Sequence, residues 1–226
     1  MTQKTSSIRH PSGIKQEIVD KVVSRRGGLY AFPALDVNKT ALVVIDLDLG
    51  TGRGDEGQII NISENINGLA AVLRNNGGIV AWVTTPMQQA TENFRAVFGE
   101  ELTKLHETNS ALGKSKTIWP ELDIADGDIH ATKEGHSAFF PNRSNLHEQL
   151  QERGIISLLV VGAVTNVCCE ASARDAAELQ YKVTMVSDAL IGWTEEQNQA
   201  TFATFFRCYG DVRPSSDVEL LIREGK

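Results

Sequence analysis

Residues 156–169 read ISLLVVGAVTNVCC, an apolar run that breaks at Gly162 and passes into a turn of Thr, Asn and Cys. The run 156–163 is too short for a buried helix and carries almost no polar interruption. A strand covered on both faces has that pattern, as in a parallel sheet; a half-exposed strand alternates instead. Residues 166–180 then take up helical spacing. A buried strand that turns directly into a helix is the repeating unit of a doubly wound sheet.

Working outward, the same unit recurs. Strands are predicted at 41–47 (ALVVIDL), 79–84 (IVAWVT), 128–133 (DIHATK), 182–187 (KVTMVS) and 211–213. Helices are predicted near 59–75, 98–106, 145–153 and 195–206. In the first of these, Ile62, Ile66, Leu69, Ala70 and Leu73 share one face, and Gly77-Gly78 ends it. Right-handed crossovers between such units give a three-layer, doubly wound α/β fold. The expected sheet is six-stranded and mainly parallel, in the order 3-2-1-4-5-6, with helices on both faces. Residues 1–37 are polar and broken by Pro11, Gly13, Gly27, Gly28 and Pro33, so they read as an arm with one helix near 14–24. Residues 38–226 read as one domain.

Composition narrows the function classes. The 226 residues are 41% hydrophobic and 23% charged, which is ordinary for a globular chain, and the net charge is −7. With no block of Lys or Arg, neither nucleic acid nor an anionic membrane is an expected partner. No apolar run approaches the roughly 18 residues of a membrane span, and the first residues lack the apolar core of a signal peptide. The three cysteines, Cys168, Cys169 and Cys208, fit neither a disulfide framework nor a zinc-ligand spacing. A cytoplasmic protein with reduced thiols is expected.

Ligands of such sheets bind beyond the carboxyl ends of the strands, at the switch point of strand order. Here that means residues 46–51, 84–88, 133–140 and 163–169. Thr165 and Asn166 are both good helix N-caps, which puts Cys168 in the first helical turn. The macrodipole and unpaired amides there favour a thiolate and can receive an oxyanion. Cys169, by contrast, reads as a small apolar filler. Asp46 ends an apolar strand, where a carboxylate is either paired and functional or caps the next loop. Lys133 ends the third strand; taken alone, it reads as a solvated lysine.

In order along the chain these residues resemble a known family. A first-strand Asp, the stretch KEGHSAFF at 133–140, and GAVTNVCCEASARDA at 162–176 followed by YKVTMVSDA resemble the isochorismatase-like cysteine hydrolases from about residue 40 to 217. The resemblance implies a catalytic triad of Asp46, Lys133 and Cys168. It also implies a cis peptide between Ala163 and Val164, with the backbone amides of Val164 and Cys168 as oxyanion hole. The implied activity is hydrolysis of a C–N bond in a small amide, ureido or carbamoyl compound through a thioester. The chain departs from the family in its first loop, where Asp48 stands in the usual place of Gln and Gly50 and Gly52 replace an aromatic wall. The stretch 84–89, TTPMQQ, lacks the Asp and His of the metal-binding nicotinamidase branch, so neither metal nor cofactor is expected. Thr85, His136, Phe139 and Trp193 are the candidate substrate contacts. A homodimer or homotetramer is implied, with the arm and residues 87–119 as contact segments.

Other readings compete. Gly52 to Gly57 fits GxGxxG, but Asp55 and Glu56 within it would repel a pyrophosphate. Asp46 and Asp48 are similar to the paired aspartates of magnesium-dependent haloacid-dehalogenase-like phosphatases. A non-catalytic oligomeric thiol sensor using Cys168-Cys169 is the third alternative.

Overall fold

The computed structural model describes residues 8–50, 56–86 and 88–225. Residues 51–55, which hold most of the GxGxxG match, and Met87 lie outside the described residues. The six strands are β1 (Thr40–Ile45), β2 (Ile79–Thr84), β3 (Ile129–Thr132), β4 (Ser157–Ala163), β5 (Lys182–Ile191) and β6 (Asp211–Arg213). They form one sheet in the order β3-β2-β1-β4-β5-β6, and every pairing is parallel. The helices are α1 (Gln16–Arg26), α2 (Glu56–Asn75), α3 (Glu92–Ala111), α4 (Leu146–Glu152), α5 (Glu170–Glu178), α6 (Glu195–Cys208) and α7 (Ser215–Glu224).

Period-two alternation within the buried strands makes the layers. In β1, Ala41, Val43 and Ile45 face one apolar cluster, while Leu42 and Val44 face the other. In β4, Leu158 and Val160 join the first cluster, and Leu159, Val161 and Ala163 join the second. The first cluster is closed by residues of α1, α4, α5 and α6, the second by residues of α2 and α7. Each large aliphatic side chain fully buried in this way contributes roughly 1.5–3 kcal/mol. No helix among the described residues is long and apolar enough to cross a membrane.

Several boundaries differ from the sequence reading, each for a local reason. β1 stops at Ile45, because Asp46 takes a positive φ of 52° and turns the chain. β5 runs on to Ile191: after a register shift opposite Val160 and Gly162, Leu190 and Ile191 pair with Gly162 and Ala163. The polar Asp188 in its middle masks this continuation. α3 is twice its predicted length and bends at Gly99 (φ 76°). α7 was not predicted; Ser215 donates both its N–H and its hydroxyl to Asp188, at 2.7 Å each, which starts the helix after Pro214. Within its described residues, the stretch read as an arm is packed on the domain, with Ile14, Val19 and Val22 buried in the first cluster.

Candidate active site

The site is built where β4 ends beside β1. Gly162 pairs with Ile45, at φ 114°, and a Cβ there would meet the Ile45 carbonyl oxygen at 2.2 Å. Only glycine lets β4 pass this close and still leave its sheet in left-handed geometry. The next peptide, Ala163–Val164, is cis. The Val164 carbonyl then accepts from the amides of Val167 (3.0 Å) and Cys169 (3.2 Å), which closes a π-helical turn over Thr165–Cys169.

This corrects the expected helix start. Cys168 sits in the π turn and α5 begins only at Glu170. Neither Thr165 nor Asn166 caps it; their side-chain oxygens are buried without a partner among the described residues. The Val164 carbonyl does the holding instead. The wider turn leaves the Cys168 side chain fully buried at the end of β4.

Asp46 and Lys133 reach the same point from strands on the other side. The Asp46 amide donates to Val83 O at 3.0 Å, continuing the ladder one residue beyond β1, and the positive φ then turns the chain. The Lys133 amide donates to Thr84 O at 3.0 Å, so its side chain starts at the end of β3 and spans β2 to reach β1. Its Nζ lies 2.8 Å from Asp46 Oδ2, 2.8 Å from Gly135 O and 3.6 Å from Cys168 Sγ. An ammonium has three N–H donors, and here it meets three acceptors. Asp46 and Lys133 are each only 1% exposed. With so little water between the charges, the ammonium stabilises negative charge on both the carboxylate and the sulfur far more than it would at the surface.

Thr85 Oγ1 donates to Asp46 Oδ1 at 3.3 Å, so Thr85 faces the site and orients the carboxylate. His136 is exposed, yet its Nδ1 lies 3.7 Å from Cys168 Sγ. Phe139 goes elsewhere: it is buried against Tyr181 and His147, with ring centroids 5.7 and 6.5 Å away, and serves the core. Trp193, after β5, is 61% exposed. Asp48 is buried, and its Oδ1 accepts from Gly50 N at 3.0 Å within the first loop. Among the described residues, no group of three or more His, Cys, Asp or Glu side chains is placed to hold a metal ion.

Sequence reasoning missed Ser172. Its hydroxyl donates to Cys168 O at 2.6 Å and accepts from Ala138 N at 2.9 Å, tying the Lys133 loop to the cysteine turn. A serine inside a helix four residues after the cysteine was the available signal, since such serines bond back to the preceding turn.

Residues 40–217 match the isochorismatase domain. The chain belongs to the isochorismatase family. Among members of that family, the uncharacterized protein YwoC of Bacillus subtilis is 29% identical over 188 residues, 81% of this chain and 94% of its own length. The ureidoacrylate amidohydrolase RutB of Agrobacterium fabrum is 45% identical over 72 residues, which span 32% of this chain and 31% of that enzyme. A cysteine hydrolase from Pseudomonas syringae pv. phaseolicola 1448A superposes with a TM-score of 0.75 at 20% identity, covering 87% of this chain and 97% of that one. At that identity the likeness is one of fold. Membership of this family of hydrolases replaces the phosphatase and dinucleotide alternatives.

Proposed function

We propose that this isochorismatase-family hydrolase is a cysteine-dependent enzyme that cleaves a C–N bond in a small amide, ureido or carbamoyl compound. One observation carries the reading: the buried Lys133 ammonium touches both the Asp46 carboxylate (2.8 Å) and the Cys168 sulfur (3.6 Å). That arrangement supports a thiol nucleophile with its base and its counter-charge already in place. The similarity to a ureidoacrylate amidohydrolase supports the substrate class.

In the proposed reaction Asp46 accepts the Cys168 thiol proton while Lys133 holds the developing negative charge. The sulfur attacks the carbonyl carbon, and the amides of Val164 and Cys168 receive the oxyanion. As the tetrahedral intermediate collapses, the C–N bond breaks and Asp46 returns its proton to the departing ammonia or amine. Water then cleaves the C–S bond of the thioester, releasing a carboxylic or carbamic acid and restoring the Cys168 thiol. Thr85 keeps the Asp46 carboxylate turned toward Lys133 throughout.

The test is ammonia release from a panel of ureido, carbamoyl and simple amide compounds. Activity should be lost on alkylation with iodoacetamide and in Cys168→Ala, and should survive a chelator. Turnover that persists in Cys168→Ala refutes the reading, and so does ammonia release that is lost to a chelator but survives iodoacetamide.

A further inference from the structure

The mechanism above leaves one titratable side chain at the sulfur unused. His136 Nδ1 is 3.7 Å from Cys168 Sγ, and His136 is exposed while the sulfur is fully buried. The imidazole therefore belongs to a residue that reaches both the nucleophile and solvent. Asp46 is 1% exposed and is engaged by Lys133 and Thr85. Of the two bases, Asp46 is buried and His136 is the one open to water.

We propose that His136 is the general base of the second half-reaction, an inference that rests on the thioester mechanism. Water attacks the thioester carbonyl carbon, and one of its protons passes to Nδ1, which accepts when the ring proton is on Nε2. The C–S bond breaks with its electron pair on sulfur, and the thiolate is held by Lys133. The imidazolium then gives its proton to the Cys168 sulfur, so the thiol and with it the free enzyme are restored without any co-reactant. The charged and titratable groups of the elements that meet here are Lys133 and Glu134 on the loop of His136, Arg143 ahead of α4, Cys168 on the π turn and Asp46 paired with Lys133. Arg143 is tied to the loop through Glu134 O and lies 3.8 Å from where a Gly135 side chain would start.

The experiment uses p-nitrophenyl acetate, an activated ester that acylates thiols and reports each acylation by its coloured phenolate. The wild-type chain should give a burst followed by steady turnover. His136→Phe should keep the burst while its steady rate falls ~100-fold, with acetyl-enzyme accumulating in the intact mass. The rise of the steady rate between about pH 5 and 8 should vanish in the same variant. Added imidazole should restore turnover in His136→Gly, which a purely structural role would not permit. A steady rate within about twofold of wild type, or a lost burst with no acetyl-enzyme, overturns the role of His136. A burst that survives in Cys168→Ala overturns the thiol mechanism itself, and with it this inference.

Discussion

Gly162 and Ile45 stand side by side in the pairing of β4 with β1, closer than any side chain on Gly162 would allow. Ile45 is followed by Asp46 and Gly162 by the cis peptide and cysteine turn, so this contact sets how the two halves of the site approach each other. Gly162→Ala must either displace the Ile45 backbone or abandon the positive φ. We expect a loss of about 3 kcal/mol or more in stability and loss of activity in whatever fraction stays folded. Urea denaturation checks the first, and an unchanged midpoint would show that the sheet can open here without cost.

The Lys133–Asp46 pair makes a sharper prediction. Removing only the cation in Lys133→Met leaves a buried carboxylate without its counter-charge, which costs on the order of 3–5 kcal/mol. Neutralising both, in Lys133→Met with Asp46→Asn, should recover most of that stability while leaving the enzyme inactive. Equal stability of the single and double variants would mean that the pair is more solvated than its 1% exposures indicate.

How much of this could be read from the chain itself follows a physical line. The central strands were legible because both their faces are buried, so 41–45 and 158–163 are continuous apolar runs. Asp46 and Cys168 were legible because each follows such a run, whereas Lys133 follows the mixed stretch DIHAT and stood out only through the family resemblance. Three things were not. The π turn depends on the Val164 carbonyl holding two amides, and residues 165–169 offer Thr and Asn that imitate ordinary caps. Ser172 matters through a bond to Ala138, 34 residues away. Asp188 reads as an interruption of β5, although its function is to start α7 from 27 residues away. Local pattern reports burial and turns; it cannot report which distant polar group a side chain will meet.

Asp211 is the clearest such case. It is fully buried and accepts from Ala31 N (2.7 Å), Phe32 N (2.9 Å) and Arg26 Nη1 (3.1 Å), with Arg213 3.6 Å away. Arg213 in turn lies over the Tyr30 ring at 3.4 Å. The carboxylate is what fastens the N-terminal stretch to β6. Asp211→Ala should leave the guanidinium groups of Arg26 and Arg213 without their carboxylate and the amides of Ala31 and Phe32 without an acceptor, costing about 3–5 kcal/mol. The first protease cuts should then fall within residues 8–37. Identical cleavage of variant and wild type would contradict the anchoring role.

His10 gives the same stretch a pH dependence. Its ring packs edge-on against Phe206 with centroids 4.7 Å apart, and Nδ1 accepts from Ser12 N at 3.1 Å. Burial lowers its pKa from 6.5 to about 4, aided by Arg213 and Arg26 and opposed by Asp217. The unfolded chain therefore takes up a proton near pH 6.5, while the native chain resists until about pH 4. Stability contributed by neutral His10 is intact above pH 6.5, declines as the pH falls from there, and is lost by about pH 4. The decline over this window is on the order of 2 kcal/mol. Urea midpoints of wild type and His10→Gln between these limits should converge as the pH falls. Parallel curves would assign the acid sensitivity to other groups and free the N-terminal stretch from it.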